Sequence, residues 1–127
     1  MADKLYWTDT VAGTISCCTT DGNNVQDLVT DLQSPLGIVV DAAAGKVYWT
    51  DYGSHKVQRS NLDGSNVRDL INGGGGPRCI VLHLQDQKMY WNGVESREIY
   101  HADLDGTHVE TIVTGHGGPC GLALVID

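Results

Sequence analysis

The sequence predicts an all-β fold: a β-propeller, with three four-stranded blades in one chain. Three observations carry this reading. First, landmarks recur every 42 residues: Tyr6-Trp7, Tyr48-Trp49 and Tyr90-Trp91; Asp21-Gly22, Asp63-Gly64 and Asp105-Gly106; Pro35, Pro77 and Pro119; Lys4, Lys46 and Lys88. Four independent landmarks in register, with no insertion between copies, mark a repeat architecture. Second, no segment keeps an apolar period of 3.6 over the roughly 10–12 residues a typical helix needs. Third, each unit reads as four short strands separated by turn residues, and four strands at a period of about 40–50 residues are the pattern of a propeller blade. The repeats run over residues 4–45, 46–87 and 88–127.

The middle unit shows the elements in order. Lys46 to Asp51 is a β-branched and aromatic run that reads as a strand, closed by Tyr52-Gly53-Ser54. Val57 to Leu62 alternates and reads as the next strand. Asp63-Gly64 then supplies a tight reversal, because Asp and Gly accept the positive backbone angles such turns require. Val67 to Ile71 follows as a third strand, Gly73 to Gly76 and Pro77 interrupt it, and Ile80-Val81-Leu82 gives a short fourth. The 42-residue interval carries the same four elements into the other two units.

Composition narrows the class of partner. The chain has 127 residues, 16 of them glycine, and carries 16 acidic against 8 basic side chains for a net charge of −8. Such a surface repels nucleic acid and an anionic bilayer alike. No apolar run approaches the roughly 18–20 residues that cross a membrane. Met1-Ala2-Asp3-Lys4-Leu5 lacks the basic and then apolar stretch of a signal peptide, which predicts a cytoplasmic or non-classically secreted chain.

Residues that suggest chemistry have plainer explanations. Cys17 and Cys18 are adjacent, and neighbours in a strand point to opposite faces, so they do not bridge to each other. Together with Cys79 and Cys120 they read as reduced thiols. Cys18 aligns with Ser60 and Ala102 and suits a buried site, whereas Cys17 aligns with Arg59 and His101 and is expected to be the more exposed. His101 and His108 flank a turn too far apart to face each other, and His55 and His116 could meet only through the tertiary fold, so no metal site is predicted. Gly73 to Gly76 lacks the following Lys-Ser/Thr and helix of a phosphate cradle. No nucleophile stands beside a recognisable base, and the repeated aspartates are explained by turns, so neither enzyme activity nor a cofactor is expected.

Residues 4–9 (KLYWTD) and 46–51 (KVYWTD) resemble the signature strand of the YWTD propellers of the low-density-lipoprotein receptor family. Ser-Asn-Leu-Asp-Gly at 60–64, Ala-Asp-Leu-Asp-Gly at 102–106 and Pro-Leu-Gly-Ile-Val-Val-Asp at 35–41 extend the likeness over nearly the whole chain. The motif residues are Tyr6, Trp7, Asp9, Tyr48, Trp49, Asp51, Tyr90 and Trp91. The third copy departs, with Asn92-Gly93 in place of Thr-Asp. The resemblance implies an extracellular binding module whose motif aspartates hold blades together and whose top face takes protein or peptide ligands. It also implies six repeats per ring, where this chain has three. Three blades closing alone would each turn by about 120° rather than about 60°, opening voids between sheets. A homodimer closing a six-bladed ring is therefore expected, with Gly121 to Ile126 completing the partner's first blade by strand exchange; the competing readings are a fragment of a longer receptor and an open filament of head-to-tail chains.

By the usual propeller layout, ligand-facing loops follow the YWTD strand and precede the inner strand. They carry Asp31, Tyr52, His55, Asn72, Arg78, Glu95, Arg97 and His116, a polar set suited to hydrogen-bonding recognition. With one tryptophan per blade as a possible stacking face, and the avidity of equivalent sites, the sequence reading favours a multivalent, lectin-like binder of glycans or glycoconjugates. The alternative is a protein- or peptide-binding module or scaffold.

Overall fold

The computed structural model describes residues 3–115 and 121–127. Among these residues the chain forms eleven strands and no helix. They are β1 (Lys4–Asp9), β2 (Thr14–Thr19), β3 (Gln26–Val29), β4 (Pro35–Asp41), β5 (Lys46–Asp51), β6 (Lys56–Asn61), β7 (Arg68–Asn72), β8 (Pro77–His83), β9 (Lys88–Gly93), β10 (Glu98–Asp103) and β11 (Glu110–Val113). All pair antiparallel, in three sheets ordered β1-β2-β3, β4-β5-β6-β7 and β8-β9-β10-β11.

This corrects the expected count of three four-stranded blades: the first sheet has three strands. The fourth strand of each repeat is the first strand of the next sheet, so β4 pairs with β5, and β8 with β9. Residues 121–127 form no strand within the single chain, and the exchange expected of them involves a second copy. β8 also begins earlier than Ile80. Pro77 is paired with Gly93 across a bulge, a place where a strand's first residue needs no N–H.

The backbone repeats as faithfully as the sequence. Gly13, His55 and Arg97, 42 residues apart, all have positive φ, at 72°, 61° and 59°. Their place in the turn after each YWTD strand demands that conformation, which glycine adopts freely and His55 and Arg97 at some cost. Asn24, Asn66 and His108 form a second such series.

The core lies between sheets. On β5, Val47 and Trp49 point back and pack with Ile15 and Val29 of the first sheet. Tyr48 points forward, into a cluster with Val57, Ile71, Ile80, Met89 and Trp91. Alternation along the strand therefore gives each blade two apolar faces, one for each neighbour. Trp49 and Trp91 are fully buried, whereas Trp7, with no sheet behind it, is only half-buried.

Cys17 is buried, not exposed as its alignment with Arg59 and His101 suggested. It lies on the same face of β2 as Ile15, under the second sheet, and its short side chain never reaches out as the longer residues do. Cys18 is buried as expected, on the opposite face, and both carry free thiols.

Candidate functional site

The turns after the YWTD strands and the connections between sheets meet at one end of the molecule. Tyr52 N–H donates to the Ser34 carbonyl at 2.9 Å, Gly74 N–H to the His55 carbonyl at 2.8 Å, and Val94 N–H to the Gly76 carbonyl at 2.9 Å. Side chains of the signature strand fix this arrangement. Asp51, fully buried, accepts from Gln33 N–H at 3.0 Å and from Ser34 and Ser54 N–H at 2.8 and 3.2 Å. Thr50 accepts from Gly37 N–H at 2.9 Å and donates across the sheet boundary to the Arg78 carbonyl at 2.8 Å. Thr8 makes the equivalent bond to the Leu36 carbonyl at 2.7 Å.

On this frame, three of the residues singled out from the sequence converge. Tyr52 donates its hydroxyl to Glu95 Oε2 at 3.3 Å, and His55 Nδ1 stands 3.4 Å from Glu95 Oε1. The rings of Tyr52 and His55 are 6.4 Å apart. Glu95 crosses from the third sheet to reach both, its stem lying over Gly76, where an added Cβ would be 2.9 Å from Glu95 Cγ. The pair is about half exposed, so it is an accessible surface cluster and contributes little to stability.

The other predicted residues surround this cluster without joining it. Arg97 is exposed in the β9–β10 turn, Arg78 is exposed at the start of β8, and Asn72 is exposed at the end of β7. Asp31 is exposed after β3, with φ of 62°. His116 lies outside the described residues.

Beside Asp31 the structure opens a recess of about 120 Å³ between the first two sheets, lined also by Gln33, Ser54, Lys56 and Gln58. Sequence reasoning missed it. Lys56 Nζ and Gln58 Nε2 each donate to the Asp69 carboxylate at 2.8 Å, and these two bonds, Lys56 first, hold the Asp69 carboxyl below its ordinary pKa. Gln58 Oε1 in turn accepts from Trp49 Nε1 at 3.0 Å, linking the recess to the core. The signal was there: Ser16 and Asp27, one repeat earlier, make the same kind of bond at 2.8 Å.

A larger cavity, about 440 Å³, opens at the opposite end beside Arg59, Gln87 and Asp105. Its groups tie strands together. Arg59 Nη1 donates to Tyr48 Oη at 3.2 Å and to the Leu104 carbonyl at 3.0 Å, while Asp103 is held by Lys88 and His108. Among the described residues, no three His, Cys, Asp or Glu side chains gather as metal ligands would. No helix there is long and apolar enough to cross a membrane.

Two of the three tryptophans cannot supply stacking faces for sugars, and only Trp7 is partly exposed. Trp49 and Trp91 are 0% exposed, sealed between sheets by the packing that builds the core.

The sequence model of low-density lipoprotein receptor repeat class B matches residues 3–42 and 45–83. No curated protein matches the chain. Among solved structures, a nidogen/laminin complex superposes with a TM-score of 0.83 at 27% identity, over 91% of this chain and 45% of that one. Virginiamycin B lyase from Staphylococcus aureus gives 0.76 at 22% identity, over 93% of this chain and 41% of that one. A putative TolB from Agrobacterium tumefaciens gives 0.75 at 16%, over 91% and 46%. The last two are likenesses of fold alone. The chain spans less than half the length of each of these structures.

Proposed function

This chain belongs to the low-density lipoprotein receptor class B repeat family, and on that premise we propose that it is a non-enzymatic module binding a protein or peptide through the Tyr52–His55–Glu95 end. The observation that carries this reading is the surface itself. An accessible phenol, imidazole and carboxylate meet across a blade boundary, exposed Arg78 and Arg97 lie at the same end, and the fully buried Trp49 and Trp91 present no face to it. Such a surface suits charged and hydrogen-bonding side chains of a polypeptide more than the aromatic-faced sites of a sugar binder. The similar nidogen structure comes from a protein–protein complex, which favours the same class. Family membership also favours an extracellular setting over a cytoplasmic one.

Selection of a displayed peptide library on the immobilised chain, run beside a glycan array, tests the proposal. Peptides should be enriched, the array should stay silent, and Tyr52→Ala should weaken the selected peptides by about tenfold, the loss typical of one well-placed contact. Agglutination blocked by a simple sugar would restore the carbohydrate reading.

A second reading concerns assembly: two copies close one six-bladed ring. The two end faces support it. Gly64 and Gly106 lie against the Leu28 and Leu70 carbonyls of the preceding sheet, whereas Gly22, their counterpart, has nothing within 4 Å. The counterpart of Leu28 and Leu70 on the third sheet is Ile112, which is 45% exposed. One end of the chain thus carries the groove, and the other the ridge, of a contact it makes twice internally. A solution mass near twice the 13.7 kDa of the chain is expected.

A further inference from the structure

We propose that Asn72-Gly73 is a modification site, where the asparagine side chain cyclises onto the backbone and opens as aspartate or isoaspartate. An Asn-Gly pair is suited to this chemistry because glycine has no Cβ to crowd the attacking nitrogen. The chain holds two such pairs, Asn72-Gly73 and Asn92-Gly93, and the fold treats them oppositely.

Asn72 ends β7 and is exposed, as is Gly73. Among the described residues, neither the Asn72 side-chain amide nor the Gly73 N–H has a hydrogen-bond partner. Gly73 has φ of 72°, and a Cβ there would meet nothing within 4 Å, so this peptide has room to rotate into the cyclic geometry. An amide is not needed at this place, since Thr30 and Thr114 occupy the equivalent positions of the other two repeats. Asn92, in contrast, is 0% exposed, and its Oδ1 accepts from Cys79 N–H at 2.8 Å. Gly93 is paired on both sides, with Pro77 and with Glu98, and a Cβ there would collide with Ser96 and Gly75. Cyclisation at Asn92 therefore waits on opening of the third sheet.

Water is the only co-reactant. Hydroxide takes the Gly73 amide proton, and the nitrogen attacks Asn72 Cγ. The Cγ–Nδ2 bond breaks, and Nδ2 takes a proton from water and leaves as ammonia, which returns the hydroxide. A second water opens the cyclic imide. Opening at Cγ gives aspartate. Opening at the main-chain carbonyl gives isoaspartate, whose backbone runs through Cβ and Cγ and is one carbon longer.

Both products bear on the binding end proposed above, and their effect there rests on that reading. Lys56 stands directly opposite Asn72 in the ladder, with its ammonium on Asp69 at 2.8 Å beside the recess. A carboxylate at 72 offers that ammonium a second acceptor on the same face, and adds one negative charge to the −8 of the chain. Isoaspartate also lengthens the link between β7 and Gly74, whose N–H is bonded to the His55 carbonyl at 2.8 Å. The tether on His55 slackens, and with it the Tyr52–His55–Glu95 cluster.

Incubation of the folded full chain at mildly alkaline pH, followed by peptide mapping in a mass spectrometer and isoaspartyl methyltransferase labelling, tests this. Acid should accumulate at 72 as both isomers, at a rate proportional to hydroxide. Asn92 should react slower by about a hundredfold or more, because its reaction needs the sheet to open, and in denaturant the two should react at like rates. An amide that persists at 72 in the folded chain, or equal rates at 72 and 92 there, overturns the assignment. Binding is read separately, with peptides selected on fresh chain. Ageing should weaken them several-fold on the wild type and leave aged Asn72→Thr equal to fresh Asn72→Thr. Unchanged binding by the aged wild type overturns the effect on the binding end, while the modification stands. If fresh chain enriches no peptide, the protein-binding reading fails, and the peptide map still decides the modification.

Discussion

Asp51 holds three backbone N–H groups on one buried carboxylate, and this explains why the last residue of the signature strand is an acid. Replacing it with alanine orphans all three donors at once. Buried unsatisfied groups cost about 1–3 kcal/mol each before relaxation, so Asp51→Ala should lose about 3 kcal/mol or more, read from a shifted urea midpoint. Asp9 accepts from Ala12 N–H at 2.9 Å at the surface, and Asp9→Ala should stay within about 1 kcal/mol. The third repeat reaches the same end differently. Asn92 Oδ1 accepts from Cys79 N–H at 2.8 Å, in the place of Thr50 and Gly37. Gly93 leaves the room an aspartate would occupy to Ser96: a Cβ there would lie 2.3 Å from Ser96 Oγ and 2.8 Å from the Gly75 carbonyl. Gly93→Asp, though it restores the family motif, should therefore destabilise the fold. A thermal midpoint at or above that of the wild type would show that the loop can yield.

At the scale of elements, the turns set how closely blades approach. A Cβ on Gly106, at φ of 89°, would stand 2.4 Å from the Leu70 carbonyl of the neighbouring sheet. Gly45 has a similar φ of 69° but open space around it, and Gln87 occupies the equivalent position with φ of 54°. Gly106→Ala should thus cost about 2 kcal/mol or more, the left-handed strain plus a forced separation of sheets, and Gly45→Ala only about 1 kcal/mol. Equal losses would mean that the strain alone decides. The same elements mark what could be read from sequence. The turns, the signature strands and the connections were legible because the repeat places one residue type at one backbone conformation three times over. Sheet membership was legible only through the expected strand exchange, which leaves the first blade one strand short, since β4 and β8 lie within one repeat and pair with the next. The Tyr52–His55–Glu95 cluster was legible only as a set of loop residues. Its contact joins positions 43 apart, and the counterparts of Glu95 are Val11 and Gly53, so no periodic signal points to it. Cys17 misled because its aligned neighbours are long enough to leave the seam and it is not.

Across the whole molecule, the carboxylates set the acid limit of stability. Asp63 and Asp105 accept from the side chain and N–H of Ser65 and Thr107, and Asp21 accepts from Thr19 and Asn23. These bonds, with the side-chain hydroxyl first in each case, hold the three carboxyls below their ordinary value of 3.8. Asp69 is lowered chiefly by Lys56, and Asp103 chiefly by Lys88. A depressed carboxyl binds its proton later in the folded chain than in the unfolded one, so its contribution is complete above pH 3.8 and disappears as pH falls through the folded values. Lys88 works in the opposite sense: Asp103 raises its pKa above 10.5, and that contribution is complete below 10.5 and lost as pH climbs past the raised value. Acidification also reduces the net charge of −8 and its self-repulsion, but that effect is spread over the surface and screened at ordinary ionic strength. The thermal midpoint should therefore change little between about pH 5 and 9 as far as these groups decide it, then drop below about pH 4. Asp103→Asn should remove part of both limits, because one carboxylate serves the acid side directly and the alkaline side through Lys88. A midpoint that rises on acidification through pH 4 would mean that the turn aspartates are not bonded in solution as they are in this fold.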